Sequence, residues 1–293
     1  MKRSLHLFVA LVFSVLGHAQ DFEAPIITSI SVTPSVDVTS GAQTVTATLQ
    51  ITDADSGYEY GNLFLYRPDG NFVSSHGMGS SERTAGDSLD GTYVVQLPIP
   101  RYAPAGTWEV RGFVEDAEGN VRDYGGTAEP FPVPADANFT VVNSATTDTT
   151  APAVVSASVA PSPIDTGVIA QSIVVTLNIT DAQSGFRSAS LIFKDPTPST
   201  KHGISGFVFH TNVFSGDAQD GVYKINASIP QGSLDGTWTF DVSVADQVGN
   251  RFTITQPVGA TFEVSNTVGG AIGEVSDAVD ATQYTWTTSG DQV

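Results

Sequence analysis

The chain has 293 residues, 28 of them Gly and 16 Pro, no Cys, and 31 acidic against 12 basic residues, a formal net charge of -19. Such a charge excludes nucleic acid and anionic membrane surfaces as natural partners, and the lack of Cys excludes disulfides and a lipid-modified Cys anchor. Stability must come from packed cores or from a bound metal.

Residues 1–19 read as a secretory signal: Lys2 and Arg3, an apolar run from Leu5 to Leu16, and small residues in Gly17-His18-Ala19. The apolar run is too short to span a bilayer, and no later segment reaches that length. The expected mature chain starts near Gln20, carries 10 basic and 31 acidic residues, and is secreted or displayed at the cell surface.

From Asp21 the chain says the same thing twice. Gly86-Asp87-Ser88-Leu89-Asp90-Gly91-Thr92-Tyr93 returns as Gly216-Asp217-Ala218-Gln219-Asp220-Gly221-Val222-Tyr223. Gly106-Thr107-Trp108 with Asp116-Ala117-Glu118-Gly119-Asn120 returns as Gly236-Thr237-Trp238 with Asp246-Gln247-Val248-Gly249-Asn250. Every pair shares one offset of domain length, so a whole domain is duplicated. The expected units are 20–143 and 151–266, joined by the polar linker 144–150, with a Gly-rich hinge and tail at 267–293. Each unit opens on an Asp three residues before Ala-Pro, at Asp21 and Asp148.

Period-two alternation runs through both units and no helical period is present. In the first, strand A is expected near Ile27–Val32, B at 43–52 with Val45, Ala47, Leu49 and Ile51 inward, and C near Leu63–Arg67. D falls between 72 and 84, E at 92–99, F at 107–115, and G after Asn120. The second repeats the pattern with Ile173, Val175, Leu177 and Ile179 inward. Trp108 and Trp238 sit on inward faces and read as core rather than as sugar-stacking platforms. The fold class is all-β: two tandem Ig-like Greek-key β-sandwich domains, with a signal peptide and a short C-terminal stub.

In that topology the start of strand A and the B–C, D–E and F–G loops share one pole. The first unit places Asp21, Asp53, Asp55, Asp87, Asp90, Asp116 and Asn120 there. The second places Asp148, Asp181, Asp217, Asp220, Asp246 and Asn250. Oxygen-only groups without Cys or a nearby His suit calcium rather than zinc or copper. Turn chemistry explains each piece alone, since Asp-Gly and Gly-Asn tolerate positive φ; Asp87, Asp90, Asp217 and Asp220 are the members it explains best. Convergence in both copies favours a cation. Gln183 and Val248 replace Asp55 and Glu118, so the first cluster is expected to be the stronger site. Asp148 lies in the linker, so a cation there would stiffen the joint.

The Asp-x-x-Ala-Pro opening, the Ile-Thr-Asp-x-x-Ser-Gly loop, the Asp-Gly-x-Tyr strand start and the Gly-Thr-Trp to Asp-x-x-Gly-Asn stretch resemble bacterial Ig-like repeats of secreted and surface proteins. The resemblance covers nearly all of 21–266. It implies the sandwich fold and leaves function open among spacers, adhesins and accessory parts of hydrolases. The calcium-stiffened joint is similar to cadherin architecture by analogy. Asp277 to Asp291 resembles the opening strand of a jelly-roll-like module of large bacterial secreted proteins.

No Gly-x-Ser-x-Gly elbow, His-Glu-x-x-His or phosphate loop occurs. His76-Gly77 and His202-Gly203 are expected to mark hairpin turns. The reading is a non-catalytic exported structural or adhesive rod that meets a protein or glycan at the cell surface or matrix. The alternative is an accessory carbohydrate- or protein-binding pair within a larger secreted enzyme. Tyr58, Tyr60, Phe64 and Tyr66 separate the two, because a planar exposed row of them favours sugar.

Overall fold

The computed structural model describes residues 21–131, 137–197 and 201–267. The expected signal segment, the tail from 268 with Trp286, and the side chain of His202 lie outside the described residues.

Among the described residues the first unit holds ten strands: β1 Ile26–Val32, β2 Ser35–Asp37, β3 Gln43–Thr52, β4 Tyr58–Tyr66, β5 Phe72–Met78, β6 Arg83–Gly86, β7 Asp90–Ile99, β8 Gly106–Asp116, β9 Val121–Tyr124 and β10 Phe139–Val142. The second repeats them as β11 Ala153–Ala160, β12 Ile164–Asp165, β13 Gln171–Thr180, β14 Phe186–Lys194, β15 Lys201–Phe209, β16 Val213–Gly216, β17 Asp220–Ile229, β18 Gly236–Asp246, β19 Arg251–Ile254 and β20 Thr261–Ser265. One sheet of the first unit runs β1-β3-β7-β6 and the other β2-β10-β8-β4-β5, with β9 on β8. The second unit has the same two orders ten strands on, β11-β13-β17-β16 and β12-β20-β18-β14-β15, with β19 on β18. Consecutive strands change sheet between β3 and β4 and between β7 and β8, which makes each unit a Greek-key sandwich.

Alternation explains the cores. Val45, Ala47, Leu49 and Ile51 of β3 are buried, as are Ile173, Val175, Leu177 and Ile179 of β13, while the residues between them, Thr46, Thr48 and Gln50 in β3 and Val174, Thr176 and Asn178 in β13, are half-buried on the other face. Trp108 and Trp238 are fully inside, and each indole N–H donates to a carbonyl four residues back, Pro104 and Leu234.

Three expectations change. The D region divides into β5 and β6, which lie in opposite sheets. The stretch after Asn120 forms β9, but the strand closing the sheet is β10, which also pairs in parallel with β2. His76 lies on strand β5 rather than in a turn, its Nε2 2.9 Å from the Ser74 hydroxyl.

Candidate metal centre at the domain joint

The expected pole forms in both units, and the loops are tied to one another by backbone. The Asp53 N–H donates to Leu89 O, the Tyr58 N–H to Ser88 O, and the Ala117 N–H to Gly57 O. In the second unit the Asp181 N–H donates to Gln219 O, Phe186 to Ala218 O, and Gln247 to Gly185 O. The D–E loop therefore joins the pole through its carbonyls.

Three carboxylates meet in each pole: Asp21, Asp53 and Asp116 in the first, Asp148, Asp181 and Asp246 in the second. Within each trio, one oxygen per residue lies within 4.8 Å of the others. Calcium binds oxygen at about 2.3–2.6 Å, so oxygens up to about 5 Å apart can share one ion.

The loops aim these groups in the same way. Asp53 Oδ1 accepts the N–H groups of Asp55 and Gly57, and Asp181 Oδ1 those of Gln183 and Gly185. The turn needs Gly at 57 and 185, both at φ +87°. Asp116 Oδ1 accepts from Glu118 and Asn120, and Asp246 Oδ1 from Val248 and Asn250.

The other named residues divide by role. The Nδ2 of Asn120 donates to Asp116 Oδ2 and Asp21 O, and that of Asn250 to Asp246 Oδ2 and Asp148 O. Each Asn braces one carboxylate and one backbone carbonyl of its trio with its amide nitrogen. Asp55, Asp87, Asp90, Asp217 and Asp220 stand outside the two trios and are exposed. Asp87 and Asp217 each cap their own turn, accepting the N–H groups two and three residues on. Asp217→Ala is thus expected to cost about 1 kcal/mol or less in a urea melt while leaving any calcium response unchanged.

The trios differ in burial. Asp148, Asp181 and Asp246 are 1, 5 and 0 % exposed, against 8, 8 and 0 % for Asp21, Asp53 and Asp116. Both Asp21 oxygens accept backbone N–H groups, from Glu23 and Ser56, and these hold its carboxyl below the usual range. In the second trio no protein donor reaches Asp181 Oδ2. Burial raises the Asp181 carboxyl, and the charge of Asp148 adds to the rise. Burial pushes Asp246 up to about 6 despite the donors from Asn250, and Asp148 and Asp181 push the same way. The second cluster is thus the more buried of the two, although it carries fewer acids around it.

The reason lies at position 248. The F–G loop of the first unit is exposed at Ala117, Glu118 and Gly119. The same loop of the second unit docks on the first: Val248 is fully buried within the first unit's core cluster. Arg67 Nη1 donates to Val248 O at 3.3 Å and to Asn250 Oδ1 at 2.7 Å, while Asp69 holds the same guanidinium by two bonds. The Asp148 N–H donates to Tyr102 O. At Gly249, φ +90°, a Cβ would come within 3.0 Å of Phe72 O. Replacement of Glu118 by Val248 serves the joint.

The aromatics of β4 do not form a platform. Tyr58 is buried on Tyr93 and donates its hydroxyl to Met78 O. Tyr60, Phe113, Phe64, Phe72 and Tyr66 chain across the outer face at 5.8–6.3 Å, tilted by 30–68° to one another. Such a tilted array packs on itself and offers no flat row to a sugar.

Residues 146–268 match the model of a domain of unknown function, DUF7743. The match brackets the second unit and includes Asp148. No curated protein matches the chain. Solved structures similar to it include dimeric latent PorU from Porphyromonas gingivalis, at 13% identity and TM-score 0.29 over 85% of this chain and 24% of that one. A protein described as membrane anchored, from Corynebacterium diphtheriae, gives 13% and 0.25 over 86% and 61%. The fibronectin(III)-like modules of CbhA from Clostridium thermocellum give 10% and 0.24 over 83% and 98%. The chain spans about a quarter of the PorU chain.

Proposed function

We propose that this chain is a non-catalytic exported structural protein, a pair of Ig-like sandwiches held in fixed relation so as to space or present something at a cell surface or in a matrix. The observation that carries this reading is the seat of Val248 in the core of the first unit. A flexible tether would keep its hydrophobic residues within its own domain, whereas here burial, the Arg67 bridge and the Asp148–Tyr102 bond couple the two bodies. The leading Lys-Arg and apolar segment supports export. A protein or a glycan is the proposed partner.

Calcium in the trio Asp148, Asp181 and Asp246 completes the proposal. Asp148 comes from the linker and the other two from loops of the second unit, so one ion would pin the linker to the pole that meets the first unit. Small-angle scattering of the mature protein tests the spacer reading. The expected result is one fixed maximum dimension across 50–500 mM salt. A broad distribution of dimensions, as from a free linker, would sink it.

A further inference from the structure

The two units enclose a second feature beside the joint. A cleft of about 370 Å³ is lined on one side by Pro98, Arg101 and Tyr102 and on the other by Ser184, Arg187 and Gln247. This volume falls within the range of small-molecule sites, about 300–1,000 Å³. Acids outnumber bases by more than two to one in this chain, yet the charged residues lining the cleft are both arginines and neither is in an ion pair among the described residues. Two of the lining residues each carry a donor enclosed by protein and without a hydrogen-bond partner, Arg187 Nε and Ser184 Oγ. Buried donors of this kind are costly unless an acceptor satisfies them.

We infer that this interdomain cleft binds a small amphiphilic anion, an acidic monosaccharide unit bearing a carboxylate or sulfate. The first unit's wall is apolar, with Pro98 and the Tyr102 ring, and Arg101 stacks over that ring at 5.4 Å. A sugar lays its C–H face on such a surface. The second unit's wall supplies the charge and a polar partner: the Arg187 guanidinium and the Gln247 amide, whose Nε2 also donates to Phe186 O. Arg187 is short of counter-charge. It stands 5.8 Å from the Phe72 ring with Arg251 at 5.3 Å from the same ring, and burial and Arg251 together push it down to about 10. Asp246 acts on Arg187 in the opposite sense but is bonded to Asn250. The second carboxylate trio borders this wall, the Ser184 N–H donating to Asp148 Oδ2, so the two guanidiniums must outweigh it. The chain's more distant acids do not forbid an anion here, because charges beyond about 8 Å are largely screened at physiological salt. A neutral sugar would leave the guanidinium unanswered. A bare inorganic anion would leave the apolar wall unused.

Calorimetric titration of the mature protein with glucuronate, glucose and sodium sulfate tests the site, in wild type and in Arg187→Gln and Arg101→Gln. Glucuronate is expected to bind, glucose to give no heat, and sulfate to compete weakly. Each substitution should weaken glucuronate by about tenfold or more, the loss of one charge-assisted contact. Arg101 is exposed, so its variant reads the site without disturbing the joint. No binding of glucuronate, equal binding of glucose, sulfate as tight as glucuronate, or unchanged affinity in both variants would each overturn the inference. The cleft exists only while the two units are docked, so this inference rests on the fixed joint; a scattering profile that shows docked units together with no glucuronate binding overturns the site and leaves the spacer reading standing.

Discussion

Val248→Glu, which gives the second unit the residue its twin carries at position 118, will separate the two domains while leaving each folded. Val248 is fully buried among the first unit's apolar side chains, and a carboxylate forced into that setting costs several kcal/mol even after relaxation. The Glu escapes by undocking the loop, because each unit has its own core of buried strands. Undocking also frees Arg67 from Val248 O and Asn250 Oδ1. The expected result is a rise in radius of gyration and a broadened dimension distribution by small-angle scattering. Far-ultraviolet dichroism should be unchanged, with two thermal transitions replacing one. Val248→Ala removes only packing and should cost about 1–2 kcal/mol without separating the units. If the glutamate variant scatters like wild type, the loop is not what joins the domains.

That prediction rests on a difference between the copies that the sequence displays but does not explain. Loss of the acid at 248 reads as a poorer cation site when each pole is considered alone. In the folded chain one pole faces solvent and the other faces a neighbour, and hydrophobic burial at the contact decides the residue. Alternation of period two shows which face of a strand is inward, so the cores of β3, β7 and β8 and their twins are legible from residues alone. It says nothing of which body a loop meets, since that depends on contacts between distant segments such as Arg67 and Asn250. The convergence of Asp21, Asp53 and Asp116 was also legible, because Greek-key order places those loops together. The secondary role of Asp87 and Asp217 was legible in the Asp-Gly turn chemistry, and the structure bears it out: Oδ1 of each accepts from the backbone of its own turn. A usable signal for the joint did exist. An apolar residue in an otherwise acidic, exposed loop type, present in one copy only, marks a buried contact.

Asp246→Asn will weaken the calcium response of the second unit. Asp246 and Asp181 have carboxyls raised above the ordinary range, Asp246 to about 6. A raised acid holds its proton more tightly in the folded chain than in the unfolded one. Its favourable contribution is therefore complete at low pH and fades as pH rises from about 4 through 6. Above that, three buried carboxylates repel one another; Asn at 246 removes one of these charges but turns an NH2 group toward the Asn250 Nδ2 that donates to Asp246 Oδ2, so the variant gains no stability of its own. A calcium ion relieves the repulsion with the carboxylates ionised and its charge set among them. Calcium should thus raise the melting temperature at pH 7.5 and lose that effect near pH 5, where protons compete for the same oxygens. In the variant the affinity should fall by about tenfold or more, one of three anionic ligands being gone. The matching Asp116→Asn change in the first unit should leave this response in place, because the more buried trio is the one that contains Asp246. Urea denaturation of wild type and both variants at pH 5 and 7.5, with calcium or with chelator, measures all of these effects. A wild-type stability indifferent to calcium at both pH values would mean that the Asp148, Asp181 and Asp246 oxygens hold no such ion.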